Sequence, residues 1–403
     1  MSHPGGPLAG IRVFDAAGMI AAPSAAALMA DFGADVIKLE PPQGDLLRRM
    51  AGVLEGPDPW WQLDNRGKRG VMLDLRDPAA IDAAHAIAAT CDVVITNLTP
   101  DRQARYRLSA DDLRADHPEL IHVAVTGFGS DGPDHDRLAF DMTAFFSRAG
   151  VLDVMGEPGS PPGGRAGQGD HTTALAVLSA VLLALRERDL TGNGQAIEVA
   201  LYQVGMWTLG SDLSIGLDTG EPPRSRFRFE MPSPMVTRFR CADDRWINFC
   251  MPGPGKWPDF CAALGHPEWA TDPRFADPEG RAEHAAELIP LCDEVFATGD
   301  RAHWIEICDA HELTFEPLQN LEEVIADPQA AALHAFGDVP DLDRPYRTVN
   351  APMHLSDSEH AVRGRAPRHG EHTAEVLAEV GLAPDQVDDL VTRGVAGPSP
   401  TDL

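Results

Sequence analysis

The chain has 403 residues, 43% hydrophobic and 24% charged, the composition of a folded globular protein of two or three domains rather than a disordered one. Its 33 basic and 62 acidic residues leave a formal charge of −29. That excess argues against a nucleic-acid binder and against docking on an anionic membrane, but it leaves room for an anionic small molecule held by a local group of cations.

The N-terminal part alternates strand-like and helix-like runs. Strands are predicted at Ile11–Phe14, Asp35–Leu39, Val71–Leu75, Val93–Asn97 and Ile121–Thr126. Ala-rich helices are predicted at Ser24–Phe32 and Ala79–Ala89. This alternation implies an α/β fold, with a parallel sheet covered by helices on both faces. His171–Arg188 is the clearest helix, apolar almost all round and so expected in a core or a subunit interface. Its longest apolar run, Ala174–Leu185, is too short to span a bilayer. A strand at Ile197–Ala200 and a helix at Tyr202–Gly216 follow.

The character changes near Pro222. The stretch Glu221–Pro234 holds four prolines and three arginines and reads as a linker. A hairpin is expected over Met235–Met251, turning at Ala242-Asp243-Asp244, followed by helices at Trp257–Leu264, Ala282–Phe296 and Arg301–Asp309. A strand-like stretch at Tyr346–Leu355 and a helix at His372–Val380 come near the end, and the tail after Gly394 is expected to fray. The six cysteines form no CxxC pair, and Met1–Gly10 does not resemble a signal peptide, so a cytoplasmic protein with reduced thiols is expected.

Few motifs carry chemistry by themselves. Asp170 follows Gly167-Gln168-Gly169 and precedes the apolar helix. By position it reads first as a helix N-cap; the functional reading uses the same geometry, since the helix dipole favours an anion there and a carboxylate with space before it can act as a nucleophile. Gly127, Gly129 and Gly132 spell GxGxxG after a strand, but Pro133-Asp134-His135-Asp136 follows where a dinucleotide site needs a helix. Arg66, Lys68 and Arg69 cluster in one turn, and Arg102, Arg105 and Arg107 in another; each group has the charge to hold phosphates or to be solvated surface. No HExxH, paired metal spacing or GxSxG elbow is present, so no metal site is expected.

Taken in order, these pieces resemble the class III CoA-transferases, a family that includes carnitine and formyl-CoA transferases. The resemblance runs from about Pro7 to Leu382 and rests on Pro7-Leu8-Ala9-Gly10, Gly33-Ala34-Asp35-Val36-Ile37-Lys38, Gly67-Lys68-Arg69, Asp92-Val93-Val94, Gly127-Phe128-Gly129, Phe140-Asp141, Gly169-Asp170, Thr191-Gly192 and Asp272-Pro273-Arg274-Phe275. It implies a large Rossmann-like domain built from residues 1–222 and 333–403, a small inserted α+β domain at 223–332, and an interlocked homodimer. It implies that Asp170 is the nucleophile that takes an acyl group and then CoA in moving CoA from an acyl-CoA donor to a carboxylic acid. CoA and acyl-CoA are then substrates, and no permanently bound cofactor is expected. CoA contacts are implied for Asn97, Arg105, Lys68, Arg69 and Arg137, with Ala22 near the thioester and Gly129 and Gly169 supplying N–H donors. Thr99-Pro100-Asp101-Arg102 departs from the usual Arg-Pro-Gly-Val and brings an acidic Asp101 toward the phosphates. The same family contains α-methylacyl-CoA racemases, but these carry a His-Asp pair where this chain has Phe140-Asp141. A silent CoA-binding protein is the other alternative.

Overall fold

The computed structural model describes residues 5–50, 58–251, 253–342, 344–358 and 361–397. The chain separates into two compact units: Met1–Val151 with Gly163–Glu221 and Ala331–Leu403, and Leu152–Pro162 with Pro222–Ala330. The short segment Leu152–Pro162, which the sequence reading left with the large domain, therefore groups with the second unit.

The first unit is organised on β1 (Arg12–Ala16), α1 (Ala21–Asp31), β2 (Asp35–Glu40), α2 (Pro59–Asn65), β3 (Arg69–Met72), α3 (Pro78–Ala88), β4 (Val93–Thr96), α4 (Pro100–Tyr106), α5 (Ala110–Arg114) and β5 (Ile121–Thr126). A π-helical segment, Met142–Arg148, and a short helix α6 (Val151–Met155) precede α7 (Gln168–Thr191), β6 (Ala196–Ala200), α8 (Leu201–Thr208) and α9 (Gly210–Thr219). The six strands form one sheet in the order β3-β2-β1-β4-β5-β6, all parallel. Because β1 pairs with β2 on one side and β4 on the other, the strand order reverses between β1 and β4. That leaves a crevice beyond their carboxyl ends.

The sequence explains the layers. Val13, Phe14, Val36, Ile37, Val93, Val94 and Ile95 are all buried, as expected of strands covered on both faces. All eleven residues of α1 are buried, and seven of them are Ala or Met; small side chains let the helix lie close to α7, its main partner. α7 is longer than the sequence suggested. It has the length and composition of a membrane span, but its packing against α1, β5 and β6 marks it as the core helix of this unit. The expected helix at 202–216 is broken at Leu209 into α8 and α9. Strand β3 begins two residues earlier than expected, because Arg69-Gly70 is extended rather than part of the turn.

The second unit carries β7 (Arg238–Arg240), β8 (Trp246–Phe249), α10 (Trp257–Ala263), α11 (Pro278–Glu283), α12 (Ala285–Phe296), α13 (Arg301–Ala310), β9 (Phe315–Pro317), α14 (Leu321–Ala326) and the start of α15 (Pro328–Ala332), which runs across the unit boundary after Ala330. β7 and β8 form the expected hairpin, closed by Asp244 at φ 62°, and β9 adds a third antiparallel strand. Phe239, Phe249, Phe260 and Phe296 build its aromatic core.

The chain then returns to the first unit with β10 (Phe336–Asp338), β11 (Arg347–Val349), α16 (Thr373–Glu379) and α17 (Pro384–Thr392). α17 was not foreseen; its Val387 and Leu390 join the core under α3. The fraying expected after Gly394 does not begin there: the Asp74 N–H donates to the Val395 carbonyl at 2.8 Å and Ala396 bridges to Leu73. The rest of that tail, 398–403, lies outside the described residues.

Candidate active site

A cleft of about 190 Å³ opens where the topology puts the crevice. Met19 and Ala21 enter it after β1, Asn97 to Pro100 after β4, Thr126 and Gly127 at the end of β5, and Leu201 after β6. Arg137 to Phe140 form another wall, and Asp170 stands inside. The β1 and β4 loops are tied to each other here. Asn97 Oδ1 accepts from the Gly18 N–H at 3.0 Å, and Asn97 Nδ2 donates to the Gly18 carbonyl at 2.7 Å. A larger cleft of about 610 Å³ elsewhere is lined by Asp82, Asp385 and Asp389 and would repel an anionic ligand.

Asp170 is not an N-cap. α7 starts at Gln168, with Gly167 as its N-cap at φ 92°, so Asp170 is the third helical residue. This follows from Gly167, which tolerates the left-handed conformation that lets the helix begin early. No side chain caps the first-turn amides of α7; Asp141 instead braces the turn before it, its Oδ2 accepting from the Gly167 N–H at 2.8 Å and its Oδ1 from the Met142 N–H at 2.7 Å. Asp170, inside the first turn, has no capping role. Gly169 is required by close approach, since a Cβ there would come within 2.7 Å of Phe145 and 2.8 Å of Asp141 Cβ.

The electrostatics of Asp170 are unusual for a carboxylate in a helix's first turn. Burial pushes its pKa up to about 7; the charge of Asp141 adds to this, His171 opposes it, and Asp64 adds further. The folded-state value lies above the reference near 3.8, so the associated stability is present below pH 3.8 and lost as pH rises through about 7. Asp170→Asn is therefore expected to melt several degrees above the wild type at pH 8, with the gap closing toward pH 5. Thermal unfolding followed by circular dichroism at both pH values checks this.

Several sequence-predicted contacts are placed differently. Lys68 is buried, and its ammonium lies within 2.9 Å of four protein acceptors: Asp15, the Pro23 and Asp64 carbonyls, and Asn65. It has no donor left for a phosphate. Arg69 is held by Asp35, Glu375 and Glu379, and Arg66 by Asp31. Ala22 is fully buried within α1; its neighbour Ala21 lines the cleft instead. Gly129 is beside the cleft, but its N–H donates to Thr126 Oγ1 at 3.0 Å, while Gly127 is the glycine that lines the cavity.

Asn97, Arg137 and Asp170 are gathered at one cavity. Arg137 is mostly exposed, with its guanidinium 5.7 Å from the Phe128 ring centroid and 3.7 Å from Asp134. Arg105 is exposed on the last turn of α4, away from the cleft lining. Sequence reasoning missed Asp141 and Asp64 as neighbours of the site. Phe140-Asp141 was a visible motif, but its bracing role depends on a loop closing over 26 residues; Asp64 gave no signal.

A model of CoA-transferase family III matches residues 8–373. The chain is 30% identical, over 95% of its length and 98% of the relative, to an (R)-2-hydroxy-4-methylpentanoate CoA-transferase from Clostridioides difficile. It is 32% identical, over 96% of its length and 98% of the relative, to the beta subunit of a succinyl-CoA–L-malate CoA-transferase from Chloroflexus aurantiacus. Among solved structures, a CaiB/BaiF family protein from Brucella suis superposes with a TM-score of 0.82 at 28% identity, covering 93% of this chain and all of that one.

Proposed function

Because the chain belongs to CoA-transferase family III, we propose that it moves CoA between carboxylic acids through covalent intermediates on Asp170. The observation that carries this reading is a half-buried carboxylate, with no capping role, standing in the cleft at the strand-order reversal.

The Asp170 carboxylate attacks the thioester carbonyl of the donor, the C–S bond breaks, and CoA leaves as a thiolate. The resulting acyl-aspartyl anhydride is attacked by the thiolate at the aspartyl carbonyl, which expels the donor acid and leaves an aspartyl-CoA thioester. The acceptor carboxylate displaces CoA to form a second anhydride. The thiolate then attacks the acceptor's carbonyl, releasing the new acyl-CoA and restoring Asp170. Each step exchanges one activated acyl group for another, so the thioester's free energy is conserved provided water is excluded. The raised proton affinity of Asp170 makes its anion a stronger nucleophile once ionised. The Gln168 N–H is taken by the Arg165 carbonyl, so of the first-turn amides of α7, which lack intrahelical acceptors, those of Gly169 and Asp170 are the candidates to stabilise the tetrahedral oxyanions.

CoA enters as substrate; Asn97, Arg137 and the exposed Arg105 are the candidates to hold it. Six free cysteines fit a reducing compartment, and the cytoplasm is the expected setting. Leu183, Trp207 and Leu217 are more than 70% exposed on α7, α8 and α9, which supports a homodimer that covers them. The substrate acids remain a class: the two relatives' names give a branched hydroxy acid on one side and succinate and malate on the other. A racemase is not favoured, since Phe140 stands where that chemistry needs a base.

The scheme makes an oxygen prediction. Each donor acid leaves with one Asp170 oxygen, and each acceptor refills that position with one of its own. An acceptor labelled with oxygen-18 in its carboxylate is expected to pass label to the released donor acid after the first turnover. Label that stays wholly with the acceptor skeleton overturns the scheme. The first-turnover acylation rate is also expected to rise with pH through about 7, as Asp170 ionises.

A further inference from the structure

The residue after the nucleophile is not a bystander of the helix start. His171 Nε2 lies 3.0 Å from Asp64 Oδ1, and Asp64 is only 2% exposed at its side chain. The same Asp64 oxygen accepts from Ser24 Oγ at 2.7 Å. The Asp64 main-chain carbonyl, in turn, accepts from Lys68. Asp64 is thus fixed from α1 and by the buried Lys68, and it fixes one ring nitrogen of His171.

We propose that the Asp64–His171 pair is a positioning device that keeps an imidazolium beside Asp170 and so favours the ionised form of the nucleophile. The inference rests on Asp170 being the nucleophile. Three carboxylates converge here: Asp170 on α7, Asp141 before the π-helical segment, and Asp64 on α2. Among the described residues, His171 is the cation hydrogen-bonded to one of them and next in sequence to another; Lys68 and Lys38 are spent on Asp15, Asp45 and main-chain carbonyls. Without a proton on His171, the third carboxylate would have to ionise against two others in a half-buried cleft, which costs it acidity. Burial works against the imidazolium, but the hydrogen bond and charge of Asp64, then the charges of Asp170 and Asp141, raise its proton affinity. Asp64 is the orienting partner because, among the described residues, it is the one that hydrogen-bonds the ring. His171 itself transfers no proton in the scheme, since a thiolate leaves without one.

The test follows Asp170 acylation in a single turnover, quenched with hydroxylamine, across pH 5–9 in wild type, His171→Gln, His171→Asn and His171→Lys. Removing the cation is expected to move the acidic limb upward by about one pH unit while leaving the high-pH plateau within about threefold. His171→Lys is expected to return the limb toward wild type. A merely structural role for His171 would lower the plateau or the melting temperature without moving the limb. A limb that stays at the wild-type position in the neutral variants, with the adduct still on Asp170, overturns the inference and leaves the function standing. No Asp170 adduct in the wild type overturns both.

Discussion

Asp170→Ala is expected to lower CoA transfer by about 10⁴-fold or more, with the protein still folded and still binding CoA. On the proposed scheme, removing Asp170 removes every covalent intermediate, and no neighbouring group replaces it. Asp141 is occupied by the Gly167 and Met142 N–H groups, and Asp64 is bound to Ser24 and His171. The alanine also relieves an ionisation that the fold disfavours, so the variant is not expected to be less stable at neutral pH. Steady-state transfer monitored by separating the two acyl-CoAs, alongside calorimetric CoA binding, checks both halves. A variant that keeps more than a hundredth of the activity would contradict the assignment.

Lys68→Met is expected to have the largest effect on stability, about 3–5 kcal/mol. The ammonium lies in a wholly buried setting and joins three backbone segments: β1 through Asp15, α1 through Pro23, and α2 through Asp64 and Asn65. Burial alone would discharge it, and indeed pushes its pKa down to about 8; Asp15 opposes that. Methionine fills the space but leaves Asp15 with Lys38, 3.7 Å away, and the Ala17 N–H at 3.3 Å, and it takes a donor from the Pro23 and Asp64 carbonyls and from the Asn65 oxygen. Against a total folding free energy on the order of 5–15 kcal/mol, such a loss leaves much of the protein unfolded or insoluble. It also frees the segment that holds Asp64 against His171. Urea unfolding measures it, and an unchanged midpoint would show that the network is not holding these loops together.

How far the sequence could be read depended on whether a feature's partners were near in the chain. The strands of the sheet stood out as apolar runs, and Phe14, Ile37 and Val94 are indeed its buried centre. β3 was misjudged because Arg69-Gly70 has the composition of a turn. Gly70 is small for a different reason: a Cβ there would come within 2.9 Å of Pro367, some 300 residues on. Lys68 and Arg69 illustrate the same limit. Three basic residues in a short turn look like a phosphate site, but the carboxylates that occupy them lie 34 to 310 residues away. Position 170 was legible only as an anion at a helix start. The role proposed for it came from the ordered set of motifs shared with the family, and its environment comes from Asp141 and Asp64, which no local pattern links to it. The departure at Thr99-Pro100-Asp101 is placed on the first turn of α4, where Asp101 is exposed.

The measurement that bears most directly on this account is the mass of the Asp170 peptide after the protein is mixed with a panel of acyl-CoA donors and quenched with hydroxylamine. A hydroxamate on Asp170 that forms with at least one transferable donor and is absent in Asp170→Ala is the predicted result. Turnover of that donor with the Asp170 peptide unmodified at every quench time, or a hydroxamate on another carboxylate such as Asp141, would contradict it.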